Sequence, residues 1–300
     1  MFTSFNARAV GLPSLPAAET IEIAAWAGFE GVDLMVRDLL AAGDDPGELR
    51  RRMADLGLRS GAFPLPVAWK GDADAYRRDL ADLPRLAEAA AILGLTRTGT
   101  WVLPETPGRF EEPAAMAKHR GEVVDPHRRR LGTIARILQD WGIRLGLEFI
   151  GVDRSRTRKG DPFVTTTADL LAELRPIFDE HPNVGSLVDV FHLYAAGDAI
   201  EEPIAAGVGK VVWVHVADLP ARGSRSRFEI IDESRGLPGE NGAVPVAQDL
   251  AKVAEAGFDG PVTAEPLARC DSLIGRDPTE VARLVKRSLD RCWPDLKGRR

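Results

Sequence analysis

The sequence predicts a (β/α)8 barrel built as one domain over residues 1–300. Eight short β-branched or apolar runs alternate with amphipathic stretches of helical period. Eight such pairs in 300 residues come to about 37 residues each, a repeat length that suits this barrel. Five junctions share one grammar of helix, glycine, two residues and strand, as in WAGFEGVDL and EAGFDGPVT. A doubly wound open sheet uses the same local grammar. No GxGxxG turn follows the first strand, which removes the dinucleotide-binding version of that alternative.

The first strand is expected over residues 2–6, followed by a helix over 16–27 that stops at Gly28. The second strand, 31–36, leads into a helix over 45–56 ending at Gly57, and the third, 59–63, into one over 72–93 ending at Gly94. A glycine just past a helix end takes the left-handed C′ conformation without a Cβ penalty. The fourth strand, 97–102, is followed by a long loop over 104–124 and a helix over 125–141 that stops at Gly142. The fifth strand, 143–150, precedes a helix over 167–174; the sixth, 184–190, precedes one over 200–206 ending at Gly207. The seventh strand, 210–216, opens a second long loop over 218–242 and a helix over 246–256 ending at Gly257. The eighth strand, 261–265, and a helix over 278–291 follow, with 295–300 read as a disordered tail. Both long loops leave C-terminal strand ends, where barrels place active sites, so both are candidate lids.

Composition narrows the class of function. Hydrophobic and charged fractions of 44% and 28% are those of an ordinary globular protein, not a disordered, fibrous or disulfide-built chain. A formal charge of −6 argues against gripping a long nucleic-acid backbone. Cys270 and Cys292 are the only cysteines, which suits a reducing cytoplasm and leaves no cysteine metal site. The opening MFTSFN has no basic region followed by an apolar one, and no apolar run approaches the ~20 residues of a bilayer span. A cytoplasmic protein, without nucleic-acid or membrane partner, is expected.

The chemistry gathers at the C-terminal ends of the last four strands. GLEF offers Glu148, SLVDVFH offers Asp189 with His192 three residues on, VWVHVAD offers His215, and VTAEPL offers Glu265. A carboxylate inside an apolar strand is costly to bury unless it is paired or metal-bound. Four such groups on four adjacent strands converge above a barrel. Three carboxylates and an imidazole suit one divalent ion: Mn²⁺ first, with Mg²⁺, Co²⁺ or Zn²⁺ as alternatives. His192 fits a group behind the ligands, a contact to a substrate hydroxyl, or a satisfied core histidine. His119, His127 and His181 lie in charge-rich stretches and read as solvated.

On WAGFEGVDL, GLEF, NVGSLVDVFHLYAAGD, VWVHVADL, ESRGLPGENG and AGFDGPVTAEPL, the chain resembles the xylose-isomerase-like barrel superfamily, in its sugar phosphate isomerase/epimerase branch. Relatives there include ketose 3-epimerases, inosose isomerases and dehydratases and, more remotely, endonuclease IV. The resemblance implies that Glu148, Asp189, His215 and Glu265 are the metal ligands, and that Glu148 and Glu265 also act as a facing acid/base pair. It implies a substrate contact for His192, and for Arg235 a hold on the substrate's hydroxyl or carbonyl oxygens. The insert LPARGSRSRFEIIDES separates Arg235 from His215, and Arg222, Arg225 and Arg227 within it are rival candidates. It also implies a carbohydrate substrate and a homo-oligomer, dimer or tetramer.

The residues themselves suggest a reaction. A metal on a carbonyl and adjacent hydroxyl draws electron density from the neighbouring C–H. One glutamate takes that proton and the other returns it, through an enediolate whose charge the metal and an arginine stabilise. This describes a sugar isomerase or epimerase; with a leaving hydroxyl β to the carbonyl, the same site is a dehydratase of an inosose or keto-sugar. More distant alternatives are a non-catalytic subunit, which would be expected to lack a ligand, and an endonuclease IV-like repair enzyme, which would need histidines at early strand ends. Trp101 fits an apolar wall for a sugar's C–H face, as do Trp69 and Phe149, and core packing accounts for each as well. Arg154, Arg156, Arg158 and Lys159 read as an anion-binding run or a solvated loop, and Asp33 as a polar group behind the site.

Overall fold

A computed structural model describes residues 1–106, 108–109, 112–222 and 226–294, without the side chains of residues 113, 116, 117, 119 and 120. The expected tail, 295–300, lies outside the described residues. The elements run β1 (Phe2–Phe5), α1 (Ala17–Ala27), β2 (Gly31–Val32), α2 (Val36–Ala42), α3 (Pro46–Asp55), β3 (Arg59–Ser60), β4 (Phe63–Pro64) and α4 (Ala73–Leu93). They continue as β5 (Arg97–Trp101), α5 (Pro113–Asp140), β6 (Arg144–Glu148), α6 (Thr167–Glu173), α7 (Arg175–Glu180), β7 (Val184–Asp189) and α8 (Val190–Ala196). Then come α9 (Glu201–Ala205), β8 (Val211–Val216), α10 (Val246–Glu255), β9 (Pro261–Ala264) and α11 (Pro278–Cys292).

All strands pair in parallel in the order β3-β2-β1-β9-β8-β7-β6-β5-β4. The two ends of that order are consecutive pieces of one strand, separated only by Gly61 and Ala62. β3 pairs with β2 and β4 with β5, so the ring closes through residues 59–64 and the predicted (β/α)8 barrel is the fold. Of the six glycines expected to stop helices, Gly28, Gly57, Gly94, Gly142 and Gly257 have φ between 67° and 94°, the region that disfavours a Cβ, whereas Gly207, with φ 117° and ψ 113°, lies outside the left-handed helical region.

Where boundaries differ from expectation, buried groups override local pattern. The second strand was expected to reach residue 36, but β2 stops at Val32 and Val36 opens an unexpected helix, α2. Asp33 turns inward there, accepting hydrogen bonds from Ser4 Oγ at 2.6 Å, the Ala62 N–H at 2.8 Å and Thr263 Oγ1 at 2.7 Å. Capture of the Ala62 N–H also splits the third strand into β3 and β4. A Cβ at Gly61 would overlap Asp33 Oδ1 and Ser4 Oγ, so only glycine fits the break.

The loop expected over 104–124 is shorter, because α5 begins at Pro113 and runs through Pro126. An interior proline forfeits a ladder hydrogen bond, at a cost of ~3 kcal/mol. Buried Val123, Val124, His127 and Leu131 continue one apolar face across it, and that packing prevails. His127, expected to be solvated, is only 7% exposed. Its Nδ1 donates to Val123 O at 2.8 Å, and its ring meets Trp69 and Phe163 edge-on. His181 is half-buried, and the His119 side chain lies outside the described residues.

Candidate metal centre and substrate cavity

Strand alternation aims the site. Residues two apart on a strand share a face. Leu187 and Asp189, Trp213 and His215, and Thr263 and Glu265 are such pairs. Leu187 and Trp213 fill the barrel interior against Gly99 and Gly146, where a Cβ would collide with them or press them closely. The register sets Asp189 beside His215 and His215 beside Thr263, two residues before Glu265. Glu148 ends β6 opposite Trp101, and Glu265 follows β9 with its N–H on Val216 O at 2.9 Å. The Trp213 ring supports the His215 ring edge-on at 4.4 Å, and its Nε1 donates to Thr263 Oγ1 at 2.9 Å.

The result is a cluster in which one ligand-type atom each from Glu148, Asp189, His215 and Glu265 lies within 4.8 Å of the others. Glu148 Oε1 and both ring nitrogens of His215 are buried without a hydrogen-bond partner among the described residues. His215 Nδ1 lies 3.3 Å from Glu265 Oε2, a charge contact outside hydrogen-bond alignment, and 4.0 Å from Glu148 Oε1. Unsatisfied buried donors and acceptors are expensive; these converge on one point with hard-oxygen and imidazole chemistry, and they fit a divalent cation.

Electrostatics separates the members. Burial and the Glu265 charge push the Glu148 carboxyl well above the usual range. Burial also works against ionising Glu265, but His215 and Arg235 outweigh it and hold that carboxyl low. Asp189 is held at about 2, Arg235 and His192 overcoming its burial. Burial alone would lower His215, yet Glu265, Glu148 and Asp189 lift it to about 9.

Above the cluster opens a cavity of about 780 Å³. Its floor includes Glu148, Glu265, His192 and Arg235. Trp101, 43% exposed, forms a wall with Leu103, Ile150 and Leu267. Trp69 and Phe149 are instead buried, Trp69 with its Nε1 on Thr100 Oγ1 at 3.0 Å. The loops after β5 and β6 are stitched into one rim: Thr106 N–H donates to Asp161 O, Phe163 N–H to Pro104 O, and the Arg158 N–H and Thr157 Oγ1 to Glu105. Of the basic run, Arg156 and Arg158 pair with Asp153, and Lys159 lines the cavity.

His192 is buried, and its Nε2 accepts from Arg235 at 3.1 Å, which leaves the proton of the neutral ring on Nδ1. Burial lowers its pKa. Arg235 is the arginine that reaches the cluster. Arg222 is exposed, Arg227 reaches Ala196 O and the Phe228 ring, and Arg225 lies outside the described residues. Asp33 sits deeper, behind the site, among Ser4, Asn6, Ala62 and Thr263.

Two groups escaped sequence reasoning. Lys70 Nζ donates to Trp101 O at 2.7 Å and lies 3.5 Å over the Trp101 ring; burial lowers its pKa to about 7 against the pull of Glu148. Asp232 lines the cavity and grips Arg235. The three-residue spacing of Asp232 and Arg235 was the only available signal, and it lies in an irregular segment.

Among curated proteins, the chain is 27% identical over 254 residues to a 3-dehydroshikimate dehydratase of Pseudomonas aeruginosa, covering 82% of this chain and 35% of that protein. It is 26% identical over 140 residues to an inosose isomerase of Halalkalibacterium halodurans, 45% of this chain and 43% of the relative. The chain thus spans less than half the length of these relatives, both of which are enzymes. A solved xylose isomerase domain protein from Alicyclobacillus acidocaldarius superposes with a TM-score of 0.80 at 28% identity, covering 97% of this chain and 98% of that one. The IOLI protein, solved with a bound zinc atom, shares the fold at a TM-score of 0.75 and 19% identity, over 97% and 98% of the two chains. A family model described as Xylose isomerase-like TIM barrel matches residues 21–292, and the chain belongs to that family.

Proposed function

We propose that the protein is a divalent-metal-dependent isomerase or epimerase of a carbohydrate or cyclitol, moving a proton beside a carbonyl. The observation that carries this reading is the convergence of Glu148, Asp189, His215 and Glu265 within 4.8 Å under an open cavity, with three of their atoms lacking any other partner. Those four residues would hold the ion. When bound, it supplies Lewis acidity that makes a C–H beside a carbonyl easier to ionise. The donor set accepts Mn²⁺, Mg²⁺, Co²⁺ or Zn²⁺, and the zinc atom bound by IOLI supports the last.

The chain's residues supply the proton handling. Glu265, held ionised by His215 and Arg235, takes the substrate proton on a carboxylate oxygen. Glu148, across the cluster from it, returns one, so the two glutamates work as an acid/base pair. Trp101, Leu103, Ile150 and Leu267 offer the substrate's C–H face an apolar wall and keep water from it.

A second reading, dehydration of a keto-cyclitol or keto-acid, is favoured by the match to the dehydratase over 82% of this chain. It uses the same proton abstraction followed by loss of a hydroxyl. Proton NMR of metal-loaded protein with ketoses, inososes and cyclic keto-acids in D₂O distinguishes the two. Deuterium at one carbon beside the carbonyl with a new stereoisomer supports epimerisation, and an unsaturated product supports dehydration. No exchange and no product across the panel would overturn both.

A further inference from the structure

Arg235 has no N–H to spare. Its guanidinium carries five donors. Nε donates to Asp232 O at 3.1 Å and to Asp232 Oδ1 at 3.2 Å. One terminal nitrogen, Nη2, donates to Asp232 Oδ1 at 2.5 Å and to His192 Nε2 at 3.1 Å. The other, Nη1, donates to Asp189 Oδ2 at 2.7 Å and Glu265 Oε2 at 3.1 Å. The plane lies 4.4 Å over the Phe191 ring, and the residue is 2% exposed. All five donors are therefore directed at protein acceptors, two of them at carboxylates of the four-residue cluster and one at the cavity histidine.

We infer that Asp232 is a positioning residue: by binding the Nε–Nη2 edge of Arg235, it fixes the Nη1 edge against Asp189 and Glu265 and the remaining Nη2 donor against His192. Among the described residues, Asp232 alone supplies both a carboxylate and a main-chain oxygen to that edge, three positions before Arg235 on the same segment. A planar fork anchored along one edge has its other edge fixed as well, which is the advantage of arginine over lysine at such a place. Arg235 is then an organiser of the cluster rather than a substrate contact, and the Asp232 side chain decides its aim.

This inference rests on the proposed metal-holding role of the cluster for one of its two readouts. In the full chain, the Arg235 Nε–H proton, assigned by its absence in Arg235→Lys, is followed by NMR for exchange with solvent. Mn²⁺ affinity is measured in parallel by calorimetry. Asp232→Ala is expected to speed that exchange at least tenfold and to weaken Mn²⁺ binding about tenfold, the usual scale for a group that orients ligands. Asp232→Asn, whose amide oxygen still accepts both N–H groups, is expected to restore both to within about threefold of the parent. Exchange and affinity within about twofold of the parent in Asp232→Ala would overturn the inference. So would faster exchange with unchanged affinity, or an Asn variant as damaged as the Ala variant. If the parent protein binds no Mn²⁺, the metal reading fails, and the exchange comparison alone decides whether Asp232 anchors Arg235.

Discussion

Glu148 and Glu265 share one cluster, and each is proposed both to hold the ion and to move a proton, so a mutation at either removes both roles. Glu148→Gln and Glu265→Gln are each expected to lower turnover by at least about 10²-fold, the scale of general acid–base catalysis, and near-normal turnover with metal bound in either variant would refute the pair. The proton on His215, retained up to about 9 by three carboxylates, competes with a cation. Metal affinity is therefore expected to rise from pH 6 towards pH 9 and flatten above, with proton release seen by calorimetry in buffers of different ionisation enthalpy. Lys70 makes a separate pH prediction. Its folded pKa of about 7 lies below the ~10.4 of an unfolded lysine, so between those values the unfolded chain binds the extra proton and stability rises with pH. Lys70→Met should remove that slope from denaturation curves, and ¹³Cε labelling should place the Lys70 midpoint near 7.

At the scale of elements, the segment after β8 delivers Asp232 and Arg235, and one buried carboxylate holds it. Asp218 accepts from the N–H groups of Leu219 at 2.8 Å, Asn241 at 2.9 Å and Val244 at 3.0 Å, and from Gly242 at 2.5 Å. Asp218→Ala strands these donors and is expected to cost about 3 kcal/mol in urea unfolding. It should also weaken metal binding, because the loop carries Arg235. Glycine stops, helix starts at Asp45, Asp72 and Pro278, and inward alternation on β6 to β8 are local rules, so these elements were legible. The course of α5 through Pro126 was not, because Asp125-Pro126 is a sound helix start in isolation. Only the apolar face of Val123, Val124, His127 and Leu131, packed on the barrel, decides against it.

Across the whole molecule, Asp33 ties the early strands to the late ones. Its carboxylate takes donors from β1 (Ser4), from the break between β3 and β4 (Ala62), and from β9 (Thr263), while Asn6 lies at 3.4 Å. Asp33→Ala removes the acceptor for groups on both sides of the closure and is expected to cost about 3 kcal/mol or more by chemical denaturation. A variant within 0.5 kcal/mol of the parent, a limit typical of surface changes, would show that closure does not depend on it.

The sequence by itself determined the barrel, the order of its strands and the four residues at the last strand ends, because period, glycine stops and strand-end position are properties of neighbouring residues. The resemblance pointed to Arg235 with Arg222, Arg225 and Arg227 as rivals, and it is the structure that brings Arg235 to Asp189 and Glu265. Tertiary structure alone decided that Asp33 breaks two strands, that His127 is buried, that Lys70 meets Trp101, and that the Arg235 fork is directed at Asp189, Glu265 and His192. Each of those outcomes depends on a partner far away in the chain, and a buried polar group takes whichever partner the closed barrel places within hydrogen-bond distance.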